Sequence, residues 1–152
     1  MARFNIEISY SQISVFNGRL AEPFNDWSPD HVAQGFSWRP ESVAFMTLID
    51  AGPVDAEVRI EETSPNPSGA RAIRVPFECP EDGVIEIASI TDGVETSIPP
   101  GRYALLFETG MQEDQCWCRL TFTPDPSATP AVLIADGELH PSDPLLMEAE
   151  PA

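Results

Sequence analysis

The sequence predicts an all-β fold, an antiparallel β-sandwich with one short helix after the first strands. Apolar residues recur with period two in short runs along most of the chain, and Gly- and Pro-rich turn signals separate those runs. One segment alone stands out with the start and stop chemistry of a helix.

The runs follow in order. In Ile6-Glu7-Ile8-Ser9-Tyr10 the apolar residues share one face and the polar ones the other, and Ile13-Ser14-Val15 repeats the pattern. Val43 to Ile49 is apolar on both faces apart from Thr47, which predicts a central strand covered on two sides. Asp55 to Glu61 returns to alternation, with Val58 and Ile60 expected inward. Arg71 to Phe77 comes next; Pro76 has no N–H to give to a ladder, so that end of the strand belongs at an edge or a bulge. Further strands are expected at Val84–Ile90, Val94–Ile98, Tyr103–Thr109, Cys116–Thr123 and Ala131–Ala135. Asp82-Gly83 and Asp92-Gly93 are tight-turn signals, Pro99-Pro100-Gly101 forces a loop, and Ser64 to Gly69 reads as an exposed loop. Nine or ten short strands at this spacing favour a sandwich over a barrel.

The helix is expected between Ser28 and Gly35. Ser28 can accept from a free N–H of the first turn, Pro29 at the first helical position loses nothing by lacking its own, and Asp30 suits the positive end of the helix dipole. Gly35 is placed to end the helix in the left-handed conformation. After Thr123 prolines multiply and no basic residue follows Arg119. Residues 1–136 are therefore expected to form a single β-sandwich domain, and residues 137–152 an acidic, Pro-rich, mobile tail.

Charge narrows the function. The chain of 152 residues carries 25 Asp and Glu against 8 basic residues, a net charge of −17, and every basic residue is Arg. Such a charge repels phosphate backbones and anionic lipid, so nucleic acid and membrane surfaces are poor partners, whereas a cationic protein is a good one. The N-terminal residues enter a strand pattern directly, and no run approaches the ~20 apolar residues of a membrane span, so the expected location is the cytoplasm. Cys79, Cys116 and Cys118 are expected as buried free thiols. Cys116 and Cys118, two apart in a strand, would share a face, which suits neither a disulfide nor a closed zinc site.

Catalytic signals are scarce. His31 and His140 lie in the helix and the presumed tail, and the chain has no Gly-rich phosphate loop, no nucleophile elbow and no Asp-rich calcium loop. The expectation is a protein that is not an enzyme and needs no cofactor or metal. What remains are surface features: Asp26 and Asp30 near the helix, Glu61 and Glu62, Glu81 and Asp82, Asp92 and Glu95, Glu113 and Asp114, all in loops or turns that a sandwich gathers at its two ends. Trp27 and Trp38 flank the helix.

The ordered motifs resemble the competence protein J family. They are Ile6-Glu7-Ile8-Ser9-Tyr10-Ser11-Gln12 with Val15-Phe16; Asp26-Trp27-Ser28-Pro29-Asp30 leading to Gln34-Gly35-Phe36-Ser37-Trp38-Arg39-Pro40; Val75-Pro76-Phe77; Gly83 to Ile90; and Ile98-Pro99-Pro100-Gly101-Arg102-Tyr103-Ala104-Leu105. Their order and spacing agree over roughly residues 5 to 109. The resemblance implies an acidic protein that binds and inhibits a nuclease, of DNA-uptake or toxin type, by occupying its basic substrate groove. It carries over no catalytic residues. The partner-binding residues expected on this view are Asp26, Trp27, Asp30, Glu81, Asp82, Asp92 and Glu95, with a basic nuclease as partner. The alternatives are a non-catalytic carbohydrate-binding module using Trp27, Trp38 or Trp117 as a stacking platform, and a subunit whose acidity serves only solubility.

Overall fold

The computed structural model describes residues 2–152. The chain order is β1 (Ala2–Ile8), β2 (Gln12–Asn17), α1 (Pro29–Gln34), β3 (Phe36–Arg39), β4 (Ser42–Met46), β5 (Gly52–Ile60), β6 (Arg71–Cys79), β7 (Val84–Ala88), β8 (Gly93–Ser97), β9 (Gly101–Gln112), β10 (Gln115–Pro124) and β11 (Ala131–Ile134). The strands form a six-stranded sheet in the order β1-β5-β10-β9-β6-β11 and a five-stranded sheet in the order β3-β4-β2-β7-β8. The two sheets close on one hydrophobic core that draws on both, and Phe45 of β4 stacks on Phe107 of β9 across it at 4.5 Å between centroids. Each such buried Phe contributes about 1.5–3 kcal/mol relative to exposure.

The all-β sandwich with one helix is as the sequence reads. One ladder departs from the antiparallel rule: β5 and β10 run parallel, with Cys116 opposite Val54 and Phe122 opposite Ile60. β4 lies inside its sheet and is buried on both faces, but it ends at Met46, three residues before the apolar run does. Pro76 sits past the last residue of β6 that pairs with β11, so its missing N–H costs the sheet no ladder bond on that side. Ile60, expected inward, is 40% exposed because it is the last residue of β5, at the rim of the sandwich. The three thiols are free and buried; Cys116 and Cys118 point into the core, and the Cys118 thiol donates to Thr109 Oγ1.

The helix is capped as its sequence dictates. Ser28 Oγ accepts from the His31 N–H, and Gly35 takes φ 86°. A side chain at Gly35 would also meet Leu139 Cδ2 at 2.9 Å, so it would add a displacement of Leu139 to the backbone strain that makes glycine the fitting residue.

Residues 137–152, expected from their composition to be a mobile tail, are placed along α1 and the loop before it. Leu139 is buried in the core cluster, and Leu145 and Met147 pack against it. The His140 N–H reaches the Ala33 carbonyl, Gln34 both receives from and donates to the Leu146 backbone, and Glu150 and Ala152 bond back to Asp26 and Phe24. Leu139, Leu145 and Met147, set among prolines and acids, provide what a charge count conceals: a hydrophobic reason to dock.

Register decides which loops share an end. Ile8 lies opposite Gly52, Gln12 opposite Met46, Gly93 opposite Ala88, Ser14 opposite Ala88, and Cys116 opposite Val54. One end of the sandwich, the Tyr10 end, thus collects the β1–β2, β4–β5, β7–β8 and β9–β10 turns together with the C-terminal end of α1. The other end holds the β6–β7 turn.

Candidate functional site

Every arginine is already engaged. Arg3, Arg19, Arg59, Arg71, Arg102 and Arg119 form ion pairs with Asp55, Asp82, Glu57, Asp136 or Glu138, Glu78, and Glu57 or Glu108 respectively. Arg39 bonds to Asn25 Oδ1 and the Glu22 carbonyl, and Arg74 to the Thr129 carbonyl. The guanidinium groups beside Asp55 and Glu57 hold those carboxyls below their usual range. The acid surplus is therefore carried by carboxylates elsewhere on the surface.

The expected partner-binding residues do not share one place but fall at three. Glu81 and Asp82 lie in the β6–β7 turn, away from the helix. Asp82 is ion-paired to Arg19, which depresses its pKa, and it also accepts from the Val84 N–H, so its charge is spent locally. Glu95 is exposed midway along β8, an edge strand, opposite Glu86. Asp26, Trp27, Asp30 and Asp92 belong to the Tyr10 end or border it. Asp26 Oδ1 accepts from the Glu150 N–H at 3.0 Å, which gives this carboxylate a structural task. Asp92 accepts from the Glu7 N–H at 2.9 Å through Oδ2 and from the Gly93 N–H through Oδ1, which ties the β7–β8 turn to β1. Asp30 is exposed in the first turn of α1.

Trp27 leads to residues the sequence reading passed over. Its Nε1 donates to Gln12 Oε1 at 3.3 Å, and together with Tyr10, Ser11, Val32 and Met46 these two line an open cleft of about 280 Å3. Tyr10 and Ser11 form a two-residue turn with φ of 56° and 57°, and Tyr10 is 76% exposed. Both positions are left-handed, a conformation a bulky aromatic residue rarely adopts. The turn is held by Ser11, whose N–H donates to the Asp50 carbonyl, whose Oγ donates to Asp50 Oδ1 at 2.8 Å, and whose carbonyl accepts from the Thr47 N–H. A signal was present: Ile6 and Ile8 occupy even positions and Ile13 and Val15 odd ones, so the alternation changes phase where the chain must turn into the other sheet.

The other tryptophans are engaged. Trp38 Nε1 donates to the Pro76 carbonyl at 2.7 Å, and Trp117 packs on Gly110 with the Arg119 guanidinium 5.1 Å from its ring centre. His31 is spoken for at both nitrogens: Nδ1 accepts from the Ser28 N–H at 2.9 Å, and Nε2 donates to the Glu148 carbonyl at 2.8 Å. Among the described residues, no helix is long and apolar enough to cross a membrane.

The family model for competence protein J (ComJ) matches residues 5–123. The chain belongs to the ComJ family. ComJ of Bacillus subtilis, whose crystal structure is described as that of an inhibitor of the DNA-degrading activity of NucA, superposes with a TM-score of 0.72 at 20% identity, covering 82% of this chain and 96% of that one. At that identity the likeness establishes the fold. No curated protein matches the chain.

Within the ComJ segment, two stretches far apart in sequence, Tyr10-Ser11-Gln12 and Asp26-Trp27, meet at one cleft. The docked residues 137–152 lie beyond the matched segment, so the strap along α1 is an addition to the part of the chain that the ComJ model describes.

Proposed function

We propose that the protein is a non-catalytic inhibitor that binds a basic nuclease and suppresses its DNA-degrading activity by placing carboxylates in the groove that receives DNA. The observation that carries this reading is the pairing of all eight arginines with the protein's own oxygens, which leaves a net charge of −17 unopposed on a ComJ-family scaffold. A groove built for phosphates attracts such a surface over a Debye length of about 8–10 Å at moderate salt, and carboxylates there compete for the sites of phosphate oxygens. The B. subtilis relative's description as an inhibitor of NucA supports the same reading. Three free, buried thiols suit a reducing compartment, which supports an encounter in the cytoplasm as part of this proposal.

A DNA-degradation assay with a NucA-type nuclease of the source organism, titrated with this protein at low and at high salt, tests the proposal. Cleavage is expected to fall to background near one equivalent at low salt and to need more inhibitor as salt rises. Undiminished cleavage at stoichiometric protein overturns it.

A further inference from the structure

Carboxylates occur at both ends of the sandwich, but their company differs. Of the large hydrophobic side chains left exposed, Tyr10 at 76%, Val32 at 45%, Met111 at 48% and Ile90 at 39% all belong to the Tyr10 end or its rim. Tyr10 and Val32 face the cleft that Trp27 and Met46 complete. Asp50 is anchored directly beside Tyr10 through Ser11, and Asp30 opens the helix that carries Val32. Asp92 and the Glu113-Asp114 turn lie farther round the same end. Monomeric proteins seldom group exposed aromatic and aliphatic side chains within a ring of charge unless that surface meets a partner.

The shape of the cleft points to one kind of occupant. At about 280 Å3 it is too small for a helix or a strand and suited to a single long side chain. Its walls include the side chains of Tyr10, Trp27, Val32 and Met46, and its lining residue Ser11 is hydrogen-bonded to the exposed carboxylate of Asp50. An arginine or lysine fits both features: its stem lies on the apolar wall, its cation meets the aromatic faces, and its charge is answered at the rim. An anionic or neutral ligand would gain nothing from the rim. The left-handed Tyr10-Ser11 turn, held from Asp50 and Thr47, presents the Tyr10 ring outward before any partner arrives, which lowers the ordering cost of binding.

We infer that the Tyr10 end is the docking surface for a basic protein, with one arginine or lysine of that partner seated in the cleft between Tyr10 and Trp27. This rests on the reading of the protein as a ligand of a basic nuclease, and it moves the contact away from the β6–β7 turn at Glu81 and Asp82.

The test uses the full chain, labelled with 15N and titrated with a deca-arginine peptide as probe. Saturable shifts are expected at Tyr10, Ser11, the Trp27 indole, Val32 and Asp50. Shifts centred on Glu81 to Gly83, or spread evenly over the acidic surface, overturn the inference. Tyr10→Asn removes the ring while suiting the left-handed backbone, so the fold should persist, as the same spectrum will show. It should weaken peptide binding and nuclease inhibition at least tenfold, whereas Glu62→Gln at the other end should change neither. A wild-type protein that binds the peptide at Tyr10 yet leaves the nuclease active defeats the inhibitor reading and keeps the surface. A Tyr10→Asn variant that inhibits as well as wild type defeats the surface and keeps the inhibitor reading.

Discussion

Arg71, with no exposed side-chain surface, donates from Nε and Nη2 to the two carboxylate oxygens of Asp136, both at 2.9 Å, and from Nη1 to the Met46 carbonyl at 2.7 Å. One buried guanidinium thus joins β6, the end of β4 and the root of the C-terminal strap. Met46 also lines the Tyr10 cleft, so the same group braces the floor of the candidate surface.

The two halves of this pair should not cost the same to remove. Asp136→Ala strands a fully buried cation, with only Glu138 at 3.7 Å to answer it, and should cost about 3 kcal/mol. Arg71→Met leaves a carboxylate whose side chain keeps 19% of its exposure and can take up water, so the loss should be smaller. Urea midpoints of the two single variants and the double variant check the order.

The strap should depend on one apolar anchor. Leu139 packs into the core beside Gly35 and Ile73, and Leu139→Ala should cost about 2–4 kcal/mol. Amide exchange at Leu146 and Glu150 should rise together with it, because their bonds to Gln34 and Asp26 form only while the strap is docked. Exchange at those amides unchanged from wild type would show that the strap is held by something other than Leu139.

Gly110 is a packing glycine. A methyl there would come within 2.8 Å of the Trp117 ring, which β10 holds in place, so Gly110→Ala should displace the indole at a cost of about 1–3 kcal/mol. A shift in tryptophan fluorescence at unchanged far-ultraviolet dichroism is the expected signature.

Alkaline pH should weaken the fold through Cys79. Burial raises this thiol from the ordinary 9.0 to about 11, so the unfolded chain ionises first. The stabilising contribution is whole below pH 9 and is lost as pH climbs through 11. The drop in urea midpoint over that window should be smaller in Cys79→Ala than in wild type.

Much of the fold was legible because it is written locally. Alternation at Ile6–Ile8, Val58 and Ile85–Ile87, turn chemistry at Asp82-Gly83 and Asp92-Gly93, and the Ser28, Pro29 and Gly35 caps each act within a few residues, so their sequence patterns carry their structure. The parallel β5–β10 pair was not legible, since it joins residues about sixty positions apart and no local pattern marks strand direction. The strap was hidden for a related reason: Leu139, Leu145 and Met147 are three of only four large apolar residues in a stretch rich in prolines and acids, and only a waiting socket makes them anchors.

The candidate surface divides along the same line. Sequence alone determined that the protein is acidic, that its basic residues are all arginine, that it is a β-sandwich with one capped helix, and that Asp26, Trp27 and Asp30 stand together. Tertiary structure alone decided that Asp82 is answered by Arg19, that Asp26 serves the strap, and that Tyr10, Trp27, Val32 and Met46 form one cleft. Charge and periodicity are sums over single residues and survive in the sequence. Which charges are cancelled, and which side chains stay uncovered, depends on the register between strands far apart in the chain.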